Sequence, residues 1–251
     1  MQIKNRQKLF KFVYTQAISR ATAQGVYTGV STKALLGKEN PYEHIDSGRL
    51  AALAMHEVKS YVNALFDYDG FATQEAHDKA HEHITSRVVD IYSAYTPEPA
   101  HDDASALKQA FTFGNAQQLV NMVAAHYYFY TRDEPIGNVF RHCHCRMSSW
   151  PITVVAELIG TLVDKSHRLD DNEAAELLDG YAHRQPEKGD WQELDTFSWF
   201  NMTSSTRQPY DTFQRAVRFL ANDPHVTQDA FAAPCPLSPL EFDLYVWNAA
   251  K

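Results

Sequence analysis

Cysteine is scarce in this sequence, and two of its three cysteines are separated by a single residue. So few thiols cannot form the disulfide framework of a small secreted domain, which favours a reducing, cytoplasmic compartment. No apolar run approaches the roughly 18 residues of a membrane-spanning helix, and the first residues lack the apolar segment of a secretory signal. We therefore expect a cytoplasmic protein with no membrane partner.

Several motifs of common enzymes are also missing. The chain has no glycine-rich phosphate loop, no GxSxG nucleophile turn, no HExxH pair and no GxGxxG after a predicted strand. Their absence lowers the weight of nucleotide hydrolysis, of the usual esterase chemistry and of dinucleotide redox chemistry. The sequence therefore favours a protein that is not an enzyme.

Helical periodicity dominates the remaining pattern. A hydrophobic content of 44% can supply a large core, and apolar residues recur at helical spacing in most segments. We predict an all-α fold of about nine or ten helices with at most a short β-hairpin, for example at residues 26–30. The most apolar segment predicts a central helix near residues 150–165. Asp170-Asp171 predicts the start of a short helix, Asn115 with Gln118 and Ser238 with Glu241 match capping boxes, and the apolar segment at 191–200 predicts a further helix. A proline-containing linker predicts halves at residues 1–100 and 101–251, unless the two form one continuous domain.

Acidic residues are absent from the first 38 positions, although the whole chain has a net charge of −8. A helix is predicted over residues 3–23, with an apolar stripe of Leu9, Phe10, Phe12, Val13, Ala17 and Ile18. Lys4, Lys8 and Lys11 fall on one face of it. A basic helix on an acidic chain could follow a phosphate backbone, dock on its own chain or bind an acidic partner.

Nucleic-acid binding accounts best for the charge asymmetry together with the missing enzyme motifs. The predicted contacts are Lys4, Arg6, Lys8, Lys11, Arg20, Arg141, Arg146, Arg215 and Arg218. Residues 127–130 are four successive aromatics that cannot all face one core, so some could stack on bases, line a pocket or contact another subunit. We therefore predict a non-enzymatic subunit that binds nucleic acid and other protein subunits within a larger nucleoprotein assembly.

A cluster of metal-ligand types lies just before the central helix, where residues 142–145 read His-Cys-His-Cys. In an extended backbone these side chains alternate, so one ion cannot bind all four. Two thiolates would suit zinc, the one cofactor that the sequence suggests. The predicted ligands are Cys143, Cys145, His126 and His167, with Cys235 as a further candidate. Buried structural cysteines, or a nucleophilic thiol whose pKa the neighbouring arginines lower, are the other interpretations.

Residues 67–70 read Asp-Tyr-Asp-Gly and resemble the DxDG loop of haloacid dehalogenase-type phosphatases. In that family the loop follows a buried strand, and its first aspartate attacks phosphorus. Here the preceding residues have a helical pattern, and Phe71 stands where threonine is usual in that family. The simpler interpretation is a turn glycine after a helix.

His77 and Asp78 resemble the dipeptide of HD phosphohydrolases, in which histidine and aspartate hold the ions that activate water. With His56, His81 and an aspartate such as Asp164, this resemblance implies a metal-dependent phosphohydrolase. The plainer interpretation of the histidines is a solvated helix face. An acidic protein-interaction or inhibitor module is the third alternative.

Overall fold

The computed structural model of the protein is mainly helical. It describes residues 3–21, 31–39, 44–95, 111–131, 138–184, 191–194 and 197–248, with only the backbone of residues 3–7 and 191. Within these ranges the β-structure is limited to one two-stranded antiparallel hairpin, which confirms the all-α prediction. The hairpin predicted at residues 26–30 lies outside the described residues. No described helix combines the length and the apolar content that crossing a membrane would take.

The chain divides into two compact units, Met1–Phe140 and Arg141–Lys251, which we call unit 1 and unit 2. Unit 1 contains the described helices α1 (Ile3–Ala21), α2 (Thr32–Leu35), α3 (Ser47–Asp67), α4 (Gln74–Ser93) and α5 (Phe113–Thr131). Helix α5 is buried over residues 113–125 and packs against α1 and α4. The predicted division placed α5 in the C-terminal half; the linker behind that prediction lies among residues 96–110, outside the described part.

Buried tyrosines join α1 to α2 and α4. The hydroxyl oxygens of Tyr14 and Tyr92 are 3.0 Å apart, and Tyr92 donates to the carbonyl of Leu35 at 2.9 Å. Burial raises the pKa of both tyrosines above its usual value, so both hydroxyls keep their protons. Because these bonds tie the inner side of α1 to its neighbours, they determine which side of the helix faces solvent.

Gly70 closes the turn between α3 and α4 in a left-handed conformation, with φ of 78°. A methyl group on its Cα would collide with the backbone carbonyl oxygens of Asn138 and Val139. The flanking Asp69 and Phe71 also have positive φ, at 46° and 68°. The quartet at residues 67–70 is therefore a tight turn after a helix, whereas the phosphatase loop that it resembles follows a strand.

We expect Gly70→Ala to lower the free energy of unfolding by about 2 kcal/mol, because the new side chain meets both a strained φ and a backbone collision. Urea denaturation measures the change. Gly48→Ala is the matched control, since a methyl group there meets no atom closer than 3.5 Å. Equal stabilities of the two variants would contradict the assignment of Gly70 as an obligatory turn residue.

Unit 2 is built on the apolar helix α6 (Ser149–Asp164), which confirms the helix predicted near residues 150–165. The other α-helices and strands of the described part of unit 2 are α7 (Asp171–Leu178), β1 (Ala182–Arg184), β2 (Trp191–Glu193), α8 (Gln208–Asn222) and α9 (Pro239–Asn248). Helix α6 packs against all of them, and α8 also packs against α7 and α9. The segment at residues 143–147, which has no regular secondary structure, leads into α6.

Two local sequence predictions in unit 2 are confirmed and one is wrong. Asp170 caps the short helix that was predicted to open at Asp170-Asp171, and the predicted capping box of Ser238 with Glu241 is present. The apolar segment at residues 191–200 was predicted to be helical, but it begins with β2 and continues to a 3₁₀ turn at Trp199–Asn201. Residues 191–193 pair with β1 instead, and this hairpin pairing overrides the helical spacing of the apolar residues.

Candidate functional site

The outer side of α1 is basic and lies next to exposed aromatic rings. Lys8, Lys11, Phe12 and Arg20 are exposed, whereas the opposite side of the helix is buried. The buried side consists of Phe10, Val13, Tyr14, Ala17, Ile18 and Ala21. The predicted amphipathic helix is thus confirmed, but Phe12 does not belong to its buried stripe. Its position four residues after Lys8 places it on the lysine side.

Three of the exposed aromatic residues of unit 1 form one chain of ring contacts. Phe12 is 51% exposed, Tyr130 is 50% exposed and Phe129 is 47% exposed. The ring centroids of Phe12 and Tyr130 are 6.2 Å apart, and those of Tyr130 and Phe129 are 5.5 Å apart. Tyr127 is buried and Tyr128 half-buried, so the four successive aromatics do point to different environments, as predicted. We call Lys8, Lys11, Phe12, Phe129 and Tyr130 the basic-aromatic surface.

The cations of this surface are not neutralised within the described part of the chain. Helix α1 contains no acidic residue. No ion pair joins Lys8, Lys11 or Arg20 to any described residue. Fixed positive charges beside exposed rings produce a local field that attracts anions, most strongly at low ionic strength.

The remaining predicted nucleic-acid contacts are not among the residues that define the basic-aromatic surface. Lys4 and Arg6 belong to α1, but their side chains are outside the described part. The four predicted arginines 141, 146, 215 and 218 belong to unit 2. Arg141 donates to His142 at 3.1 Å, Arg215 is exposed and donates to the carbonyl of Glu176 at 2.9 Å, and Arg218 is half-buried.

Arg146 is held inside unit 2 by a buried carboxylate. Its Nε donates to Asp243 Oδ2 at 2.6 Å, and Asp243 is fully buried. The guanidinium carbon lies 4.9 Å from the ring centroid of Trp247. Burial raises the pKa of Asp243, while the charge of Arg146 opposes the rise. Because its charge balances an internal acid, we leave Arg146 out of the proposed nucleic-acid surface.

The two neighbouring cysteines, Cys143 and Cys145, are part of the same packed region. Cys143 and Cys145 are buried, and the backbone N–H and carbonyl of Cys145 bond to the side-chain amide of Gln214 at 3.1 and 2.7 Å. The Cys145 thiol donates to Asp243 at 3.6 Å. Burial, followed by the charge of Asp243, raises the pKa of this thiol well above its usual value. These contacts support the interpretation of Cys145 as a structural cysteine, since an activated nucleophile needs a lowered pKa.

The other predicted zinc ligands have different surroundings. His126 is half-buried on α5 in unit 1, and His167 is exposed after α6 with a left-handed φ of 53°. Cys235 is half-buried, and its thiol donates to the carbonyl of Asn222 at 3.5 Å. Among the described residues of unit 2, no three ligand atoms from histidine, cysteine or a carboxylate lie within 4.8 Å of one another. The zinc site stays a prediction.

In the native protein we expect a thiol reagent to label Cys235 much faster than Cys143 and Cys145. The reaction needs an accessible thiolate, and burial denies this to Cys143 and Cys145. Peptide mass spectrometry after timed labelling measures each rate, with urea-unfolded protein as the control in which all three react. Rapid labelling of Cys145 in the native protein would contradict its structural role. Stoichiometric zinc that is lost on changing Cys143 and Cys145 to serine would support the zinc site instead.

Unit 1 contains a buried polar network around two histidines of α4. Both His77 and His81 are buried, with ring centroids 6.1 Å apart. The Nε2 atom of His77 lies 2.8 Å from the hydroxyl of Tyr61, and that of His81 lies 2.8 Å from Asn121 Oδ1. The interpretation of these histidines as a solvated helix face is therefore wrong, because α3 and α5 cover them.

Only some residues of the predicted hydrolase site lie close together in unit 1. Asp78 is half-buried, with its Oδ1 3.6 Å from Nδ1 of His77. The Nε2 atoms of the two buried histidines face separate hydrogen-bond partners, and His56 is exposed on α3. Nothing in this arrangement brings the two imidazoles of α4 onto one ion through these nitrogens.

The sequence pattern gives few signals for the basic-aromatic surface beyond its charges. The lysines are visible in the sequence, and the helical position of Phe12 relative to Lys8 is a usable signal. The contact between Phe12 and Tyr130 joins residues far apart in the chain, so it could not be found from local spacing.

In comparisons with known proteins, no family model, curated protein or solved structure matches this chain.

Proposed function

We propose that this protein binds nucleic acid through the basic-aromatic surface of unit 1, as a non-enzymatic subunit of a larger nucleoprotein assembly. The observation that carries the proposal is the placement of exposed lysines beside exposed aromatic rings, on a helix without acidic residues. Phosphates attract the lysines, and the rings offer flat apolar contact to bases or sugars.

The inner contacts of α1 explain why this side of the helix is available. Tyrosine hydrogen bonds and apolar packing against α5 hold the buried side, so the lysines are not needed for the stability of unit 1. A surface lysine without an ion pair contributes little to folding, but it releases counterions when it meets a phosphate. The positive charge on the outer side of α1 therefore contributes more to binding than to the stability of the fold.

An acidic protein is the main competing partner for a basic surface. Nucleic acid is favoured because the solvent-facing rings stand next to the cations, and base stacking uses rings without requiring a complementary protein pocket. The acidic character of the rest of the chain also opposes nonspecific adhesion of nucleic acid elsewhere.

Fluorescence anisotropy with a labelled oligonucleotide tests the proposal. We expect the logarithm of the association constant to fall linearly with the logarithm of salt concentration. Two phosphate contacts predict a slope of magnitude about 1.4 or more. Absence of binding at low salt, or binding that does not respond to salt, would contradict the proposal.

A further inference from the structure

We propose that the nucleic acid is single-stranded and that Phe12, Tyr130 and Phe129 stack against its unpaired bases. This inference rests on the proposed nucleic-acid binding and specifies its ligand. It is carried by the exposure and the spacing of the three rings, and charge alone would not distinguish a single strand from a duplex.

All three rings are strongly exposed to solvent. About half of each of these side chains faces solvent, although the two helices that carry them pack closely along their inner sides. Scattered exposed aromatics need no explanation, but three rings joined by successive contacts form an apolar patch. Such a patch is stabilised when another flat apolar group covers it.

The spacing of the rings suits separated bases. The centroids of neighbouring rings are 5.5 and 6.2 Å apart. Stacked bases of a duplex rise by about 3.4 Å per nucleotide, so successive bases must move apart to meet successive rings. Unpaired bases can spread in this way, whereas paired bases in a duplex keep their faces covered by their neighbours.

Both lysines are neighbours of Phe12 on α1. Lys11 directly precedes Phe12 in the chain, and Lys8 lies one helical turn before it. A base on the Phe12 ring would therefore place its own or an adjacent phosphate near a cation. Cations that follow the backbone and aromatics that hold the bases are the combination used for binding of single strands without strong sequence preference.

The test compares a single-stranded oligonucleotide with a duplex of the same length by anisotropy, for the wild type and for Phe12→Ala/Tyr130→Ala. We expect the wild type to bind the single strand at least about tenfold more tightly. The double substitution should weaken single-strand binding by about a hundredfold, at tenfold for each ring, and should change duplex binding little. Tyr68→Ala/Phe219→Ala is the matched control, since it removes two exposed rings outside this surface and should leave both affinities unchanged.

Phe12→Leu is the second variant, because it keeps an apolar side chain on α1 but removes the ring. We expect about a tenfold loss of single-strand binding with an unchanged thermal midpoint.

Equal affinities for single strand and duplex, unaffected by the ring substitutions, would overturn this inference and leave the proposed function standing. Failure of the wild type to bind either ligand would overturn both. If the ring substitutions abolished self-association in sedimentation but left oligonucleotide binding unchanged, the rings would form a protein-docking surface, and the inference would be overturned.

Discussion

Replacing Arg146 with methionine should lower the free energy of unfolding of unit 2 by about 3–5 kcal/mol. The substitution leaves Asp243 fully buried without the guanidinium that lies 2.6 Å from its carboxylate. It also removes the cation that stacks on Trp247. Chemical denaturation monitored by tryptophan fluorescence measures the loss.

Two further variants separate the cost of an unpaired charge from lost packing. Arg146→Met/Asp243→Leu removes both charges and should recover most of the stability, to within about 1 kcal/mol of the wild type. Arg184→Met is the control, since it breaks an exposed ion pair with Asp164 and should cost less than about 1 kcal/mol. An Arg146→Met variant as stable as this control would mean that the buried pair is unimportant.

The Arg146→Met effect should depend on pH in a defined direction. Burial already raises the pKa of Asp243, and loss of the guanidinium raises it further. Between the ordinary carboxyl pKa and the raised pKa, the folded state keeps the Asp243 proton while the unfolded chain releases it. The folded state therefore loses stability as pH rises through this range. The destabilisation of the variant relative to the wild type should therefore be smaller at mildly acidic pH than at neutral pH. A pH-independent difference would contradict this assignment.

Reversing the charges of Lys8 and Lys11 with Lys8→Glu/Lys11→Glu should weaken oligonucleotide binding by about a hundredfold or more at low salt. The change removes two phosphate contacts and places two carboxylates beside the bound strand. Both side chains are exposed and neither is in an ion pair with a described residue, so folding should be unaffected. Anisotropy titration measures the affinity, and thermal melting checks the fold.

Lys79→Glu/Lys165→Glu is the matched control because it changes the net charge by the same amount at two other exposed lysines. Lys79 lies on α4, where it pairs with Glu75, and Lys165 follows α6. We expect at most a few-fold loss of binding from this control, through the long-range field alone. Equal losses in the two double variants would mean that net charge, rather than the basic-aromatic surface, drives binding.

Local sequence signals predicted much of the helical framework, because caps and amphipathic stripes act over three or four residues. The capping box of Ser238 and Glu241 and the amphipathic α1 are examples. At the start of α5 the expected box of Asn115 with Gln118 was wrong. Asn115 instead accepts from the N–H and hydroxyl of Thr112 and donates to the carbonyl of Ala21. The last of these bonds joins two helices, so no local pattern could indicate it.

The same limit applies to the candidate site. The excess of lysines in α1 could be read directly, but the burial of His77 and His81 depends on Tyr61 and Asn121, which come from two other helices. Likewise, the charge of Arg146 suggested a surface role until its buried partner Asp243 was found 97 residues away. Charge and periodicity are encoded locally, whereas the neutralisation or exposure of a given side chain depends on tertiary packing.

Ultraviolet crosslinking of the wild-type protein to a short single-stranded oligothymidylate, followed by peptide mass spectrometry, tests most directly whether the basic-aromatic surface binds nucleic acid. We expect crosslinked nucleotides at Phe12 and Tyr130, and their loss when excess unlabelled single strand competes. Crosslinks confined to unit 2, or to parts of unit 1 other than α1 and the end of α5, would contradict binding at this surface.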